Sequence, residues 1–272
     1  MAVGLIVVLA LIFSALFFFF IVQYMHLSHA LNDAEDWLEQ FETEQALLSH
    51  GRTVFVDYGS NKGVPILSIH GDFGGHDQGF RSVEGMADDF RIIAPSRFGY
   101  LGSYAPADPS PKNQAETYLE LLDKLDIREV FVFAHSSGIA SAIRFASEFT
   151  DRIKGVIFVS PAPYQYPPSS LLTNRAMWLL SPFVPLLYGF PSELARNMLP
   201  LNRRRQGIMI DAKFATTDAN PIYLEIPTLI LQTEKHPQNH RFPRGEFVTF
   251  ETFAVHEEEI EWLIREFIGK NT

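Results

Sequence analysis

The distribution of apolar positions divides the chain into an unbroken apolar run, a mixed connector and a long stretch of alternating short motifs. Residues 1–25, MAVGLIVVLALIFSALFFFFIVQYM, contain no charged side chain. At a rise of about 1.5 Å per residue, a helix of this length spans a hydrocarbon core of about 30 Å, which predicts one transmembrane helix. A cleaved signal peptide is the competing reading, because Ser28-His29-Ala30 loosely matches a cleavage site. The run is longer than the usual apolar region of about 7–15 residues and no Lys or Arg precedes it, which favours a retained single-pass anchor. Residues 26–50 carry Leu31, Leu38, Phe41 and Leu48 at helical spacing and read as an amphipathic connector.

Beyond residue 50 the period shortens. Thr53–Tyr58 alternates and predicts a strand, and PILSI at 65–69, RIIA at 91–94, VFVFA at 130–134, GVIFVS at 155–160 and TLILQ at 228–232 are compact apolar runs. Runs of this kind suit parallel strands covered on both faces. Helix-forming segments at 114–125, 137–149 and 257–268 lie between or after them. Strand and helix alternating in this way predict an α/β architecture, doubly wound around a mostly parallel sheet. Residues 161–222 break the rhythm with nine prolines from Pro161 to Pro221 and apolar pieces such as Trp178-Leu179-Leu180, and they read as a helical cap inserted between two strands. One large domain, residues 51–272, follows the anchor and connector.

Charge and composition narrow the chemistry. The net charge of -10 leaves no basic face for a nucleic-acid backbone, so no nucleic-acid partner is expected. The one basic run, Arg203-Arg204-Arg205, reads as a solvated helix face. The chain has no cysteine, which removes thiol nucleophiles, thiolate metal sites and disulfides. His76, Asp77, His236 and His240 form no ligand pair of metal-binding spacing on one element, so neither a metal nor another cofactor is called for. Acidic residues follow the anchor and the first basic one is Arg52; with no Lys or Arg flanking the run, the domain is placed only slightly in favour of the extracytoplasmic side.

The reactive candidate is Ser136. In VFVFAHSSG, residues 130–138, an apolar strand runs into a serine and a helix begins at once. A G-x-S-x-G elbow needs small residues around the serine because the turn is sharp, and here Ala134 stands at the first glycine and Gly138 at the second. Such a turn exposes the hydroxyl beside the N–H groups of a helix start; the competing reading is that Ser136 or Ser137 caps that helix. A second segment, ILSIHGDFGG at 66–75, ends a strand in His-Gly and a glycine-rich loop. There the backbone N–H of Asp72 and that of Ser137 are the candidate oxyanion donors, a role that requires the Asp72 carboxylate to point away from the developing charge. His70 reads as structural, bonded within the loop, and the loop lacks the Gly-Lys-Ser/Thr ending of a phosphate cradle.

These motifs in this order resemble the α/β-hydrolase superfamily over roughly residues 50–269, with APSRFGYLGS at 94–103 and HGDFGGHDQGF at 70–80 similar to its bacterial members. The resemblance implies a sheet of the α/β-hydrolase type with a helical cap insertion, and a serine-hydrolase ancestry acting on an ester, thioester, lactone or amide. It also implies an acid and a histidine after Ser136, and there the chain departs from the pattern. After the strand at 228–232 comes Thr233-Glu234-Lys235-His236-Pro237, so His236 stands where an aspartate is expected and Glu234 is the nearest carboxylate. His256 precedes the last helix, but the superfamily's spacing counts back to Glu251.

Three readings follow. Ser136, Glu234 and His256 form a shifted triad; or His236 is the base, oriented by Glu251; or the base is lost and the domain binds without cleaving. The corresponding functions are a membrane-anchored serine hydrolase for a small hydrophobic substrate, and a catalytically degenerate ligand- or partner-binding module.

Overall fold

The computed structural model describes residues 2–159, 173, 176, 198–217, 223–233, 242–251 and 257–272. It divides into two units, residues 1–40 with 167–202 and residues 41–166 with 203–272.

In the first unit, helix α1 (Ala2–Glu39) is one continuous element. Residues 3–39 form a helix long and apolar enough to cross a membrane, near the N-terminus, and its apolar window is unburied by the protein. Phe17, Phe18, Phe19 and Phe20 point in four directions round the helix and are 59%, 68%, 52% and 55% exposed. Residues 26–50 do not behave as one helical element: α1 continues to Glu39, and Glu44–Leu48 is a strand.

The second unit is built on an eight-stranded sheet in the order β1-β2-β4-β3-β5-β6-β7-β8. The strands are β1 (Glu44–Leu48), β2 (Gly51–Gly59), β3 (Val64–Ile69), β4 (Phe90–Pro95), β5 (Val130–His135), β6 (Ile153–Val159), β7 (Thr228–Gln232) and β8 (Gly245–Thr249). β1 pairs antiparallel with β2, and β2 with β4; every other pairing is parallel. The strands predicted from apolar runs are the central ones, and alternation explains why they are apolar throughout. Val132 and Ala134 of β5 face one core with Leu67, Ile69, Val156 and Phe158. Phe131 and Phe133 face the other with Ile66, Ile157, Leu229 and Leu231. A strand buried on both faces has no polar positions to reveal its period.

Helices cover each face. α3 (Pro111–Lys124) and α4 (Gly138–Glu148) bring Tyr118, Leu121, Ile139 and Phe145 to the first core. α2 (His76–Arg81) and α6 (Glu257–Asn271) bring Phe80, Ile264 and Phe267 to the second. The start of α3 follows from its sequence: Ser110 accepts a hydrogen bond from the Asn113 N–H at 3.1 Å, and Pro111 takes the first helical position where no N–H is needed. α5 (Arg205–Thr217) lies within the predicted 161–222 insert; 161–172, 174–175, 177–197 and 218–222 of that stretch lie outside the described residues.

The second core rests on Phe131, which is fully buried and packs edge-on against Phe267 at 6.2 Å. Phe131→Ala is expected to cost about 3–5 kcal/mol, read as a lower urea midpoint at unchanged slope.

Candidate active site

β5 delivers Ser136 into a backbone conformation that L-residues rarely adopt, with φ 48°. The strand ladder holds it there from one side, since the Ser136 N–H donates to the Val159 carbonyl of β6 at 3.0 Å. The helix holds it from the other, since the Ile139 N–H donates to the Ser136 carbonyl at 3.0 Å. Strain of this kind persists only where surrounding structure fixes it.

Two glycines let that structure come close. A Cβ on Gly138 would run into the carbonyl oxygen of His70, so the α4 start and the β3 end pack backbone to backbone. A Cβ on Gly71 would lie 2.8 Å from His135 Nδ1 and 3.1 Å from Ser136 Cβ, so the loop after β3 lies directly against the elbow. His135 Nδ1 is buried there with no hydrogen-bond partner, and burial lowers its pKa to about 4, so its ring is neutral.

Neither serine caps α4 in the ordinary way. Ser137 occupies the cap position without a side-chain bond to the helix. Its hydroxyl instead accepts from Arg97 at 2.9 Å and donates to Asp211 at 3.2 Å. The Ser136 hydroxyl donates to Oδ2 of Asp72 at 2.6 Å, and both residues are buried. The requirement that the Asp72 carboxylate face away from Ser136 is therefore not met: it faces the hydroxyl directly. The loop shape makes the reason visible. Gly71 packs on the elbow and Phe73 turns through φ 61°, which leaves residue 72 between them on the serine side.

His70 is structural, as the sequence suggests. Its Nε2 accepts from the Arg97 backbone N–H at 2.9 Å, so Nδ1 carries the proton and donates to the Gly71 carbonyl at 2.9 Å. Burial, aided by Arg97, lowers its pKa and keeps the ring neutral.

The sequence does not single out Arg97, yet among the described residues it links more parts of the site than any other. Only 2% exposed, it lies in the loop after β4. Its Nε donates to the His70 carbonyl at 3.0 Å, and its Nη2 to the Gly71 carbonyl at 3.0 Å and to Ser137 Oγ. Asp211 of α5 closes a bidentate pair with it, at 2.7 Å on one side, and also accepts from the Tyr100 hydroxyl at 2.6 Å. Burial opposes the guanidinium charge, but Asp211 and Tyr100 outweigh it and Arg97 titrates higher than usual.

A second strap lies on the far side of the loop. Arg204 donates to the Phe73 carbonyl at 3.2 Å and to Asp77 at 2.8 and 3.1 Å. The Arg203–Arg205 run is thus not a uniformly solvated face: Arg204 is 2% exposed and its charge is met by Asp77. Of the remaining candidates, Glu251 is exposed just past β8, whereas Glu234, His236 and His256 lie outside the described residues.

A doubly wound sheet that presents a serine on a left-handed turn between its fifth strand and the next helix, beside a His-Gly loop, defines a protein of the α/β-hydrolase class. Residues 64–244 match the family described as alpha/beta hydrolase fold, and the chain belongs to it. Among curated proteins it is 29% identical over 151 residues to "Uncharacterized hydrolase YcgS" of Bacillus subtilis, covering 52% of this chain and 53% of the relative. It is 27% identical over 121 residues to Lipase 1 of Psychrobacter immobilis, covering 43% and 38%. The chain thus spans about half the length, or less, of these relatives. Among solved structures it is similar to an alpha/beta hydrolase from Sphaerobacter thermophilus DSM 20745, with TM-score 0.66, 20% identity and 83% and 100% of the two chains covered. It is similar also to a hydrolase from Pseudomonas aeruginosa PA01, with TM-score 0.65, 18% identity and 84% and 98% covered.

Arg97→Met removes the only cation bonded to Asp211 among the described residues and leaves a buried carboxylate without it. A loss of about 3–5 kcal/mol is expected, measured by chemical unfolding. His76 supplies a pH test. It is 3% exposed, and burial, with help from Arg204, lowers its pKa to about 4 against 6.5 unfolded. The unfolded chain therefore binds the extra proton between these values, so stability falls as pH drops through this window. From pH 7 to pH 5 the contribution is about 2 kcal/mol, and His76→Gln should flatten that part of the profile.

Proposed function

We propose that this chain is a membrane-anchored serine hydrolase that cleaves an ester or related acyl bond of a small hydrophobic substrate. The observation that carries this reading is the Ser136 hydroxyl, held out by a φ 48° turn and not spent on capping α4. Ser136 Oγ attacks the acyl carbon, His256 takes its proton, and Glu234 orients the imidazole. The backbone N–H groups of Asp72 and Ser137 receive the oxyanion; Gly71 and Gly138 bring their two segments into contact. Family membership and the likeness to a relative named Lipase 1 support acyl-ester chemistry. The naked apolar helix at residues 3–25 supports the anchor, since exposed apolar surface of that extent is unfavourable in water.

One observation favours a second reading, a non-cleaving binding module. The Ser136 hydroxyl is already engaged by a buried carboxylate, which opposes negative charge beside it.

A fluorophosphonate probe separates the two. Under the first reading the native full-length chain, kept in its membrane fraction after an alkaline wash, is labelled at Ser136. Ser136→Ala then abolishes labelling and lowers ester turnover by on the order of 10⁴-fold or more. An unlabelled Ser136 together with no turnover leaves the binding module standing.

A further inference from the structure

An oxyanion hole works only if its donors point the right way. This inference rests on the reading of the Asp72 and Ser137 backbone N–H groups as those donors. Both lie on segments that could turn. The 71–72 peptide follows a glycine, which has no Cβ to resist rotation. Residue 137 comes directly after the left-handed turn at Ser136. A peptide that flips over points its N–H the opposite way while the path of the chain hardly changes.

The Gly71 carbonyl belongs to the same peptide plane as the Asp72 N–H. In a trans peptide the two bonds point in opposite directions, so whatever holds the oxygen also aims the hydrogen. That oxygen accepts twice, from Arg97 Nη2 at 3.0 Å and from His70 Nδ1 at 2.9 Å. Both of its lone pairs are then used. A flip would deprive two buried donors of their acceptor and turn a third N–H towards them, which is costly away from water. The preceding peptide is held at both ends as well. Its His70 carbonyl accepts from Arg97 Nε at 3.0 Å, and its Gly71 N–H donates to the Gln78 side chain at 2.7 Å.

The same Nη2 also donates to Ser137 Oγ at 2.9 Å. One nitrogen therefore bridges the two segments that carry the donors. The guanidinium behind it has little freedom, since Asp211 grips it as a bidentate pair and the Tyr100 ring centre lies 5.2 Å from its Cζ.

We propose that Arg97 is a positioning residue for the oxyanion, a latch that aims both backbone donors through one nitrogen and keeps the 71–72 peptide from flipping. It touches no reacting atom. During attack, Ser136 Oγ bonds to the acyl carbon, its proton leaves for the base, and the carbonyl π pair becomes a lone pair on oxygen. The donors matter most at that moment, when the charge has formed. Poor aim therefore lowers kcat and leaves KM close to its wild-type value.

The test compares p-nitrophenyl butyrate with its thiono counterpart, in which sulfur replaces the carbonyl oxygen, on the full-length chain. Both release p-nitrophenolate, so one assay reads both. Sulfur is a weak acceptor, and the thionoester gains little from the two N–H groups. The wild type is expected to favour the oxygen ester by about 100-fold or more in kcat/KM. Arg97→Lys keeps a cation for Asp211 but has no fork to span Gly71 and Ser137. It should lower kcat on the oxygen ester by about 100-fold, hold KM within about threefold, and shrink the oxygen-to-sulfur preference by about tenfold or more. A preference is a ratio within one variant, so a smaller folded fraction cancels and a merely structural role would leave it unmoved. Ser137→Ala releases one of the two segments and spares the Asp211 pair. It should shrink the preference by about threefold or more, and it decides the matter if Arg97→Lys does not fold. An unchanged preference in folded Arg97→Lys, or failing that in Ser137→Ala, would overturn the latch and leave the oxyanion donors standing. A wild-type preference near one, or an unlabelled Ser136 with no ester cleaved, would instead remove the reading beneath it.

Discussion

A guanidinium buried in a protein must find acceptors for its N–H groups and a counter-charge, and the way Arg97 meets both demands organises the site. Its acceptors are the carbonyls of His70 and Gly71 at the end of β3, the Ser137 hydroxyl at the elbow, and the carboxylate of Asp211 on α5. Four segments far apart in sequence thereby meet at one planar group. Lysine could not reproduce this, because a point charge with three donors does not match a fork of fixed geometry. The arrangement also explains how the exit of the insert is anchored. Asp211 on α5 grips Arg97, whose other N–H groups hold the His70 and Gly71 carbonyls, and Arg204, just before α5, donates to the Phe73 carbonyl and to Asp77 of α2.

The same arrangement supports the strained turn. A non-glycine residue in the left-handed region costs of order 1–3 kcal/mol, and Ser136, Phe73 and Leu101 all adopt it around this site. Strain is tolerated where the alternatives are closed. Gly138 and Gly71 admit neighbouring backbone at distances no side chain would permit, and the β5–β6 ladder continues through the Ser136 N–H. Relaxing the elbow would break those contacts together.

Much of this was legible in the sequence, for identifiable reasons. The central strands announced themselves because burial on both faces leaves an apolar run, and the elbow because strand, serine and glycine occur at fixed spacing. The edge strands did not. β1 reads EQALL, with one fully buried residue, Ala46, and Leu47 79% exposed, and β8 reads GEFVT with no buried position. Edge strands lack the two-sided burial that marks the others, so β1 was absorbed into a helical spacing that β-pairing with β2 overrides. Arg204 reads as solvated because a sequence shows a charge and not its partner, and Asp77 lies 127 residues away. The direction of the Asp72 side chain depends on the turns at Gly71 and Phe73, and a positive φ at phenylalanine has no sequence signal. Arg97 was visible as part of a superfamily-like loop, but nothing local marks an arginine as buried.

The electrostatics of the two straps decide what they can contribute. Arg97 is closed by Asp211 and Arg204 by Asp77, each pair in direct contact and almost fully buried. A paired guanidinium has a much weaker field at a third point than a free one, because the opposite charge sits within a bond length or two of it. The straps therefore supply geometry more than potential. Stabilisation of a developing oxyanion then falls to oriented backbone N–H groups, whose dipoles cost nothing to reorganise once the backbone is pinned. The same pinning fixes the Asp72 side chain, whose Oδ2 accepts the Ser136 hydroxyl from the loop that carries the first of those N–H groups, so nucleophile and oxyanion donor are positioned by one piece of backbone.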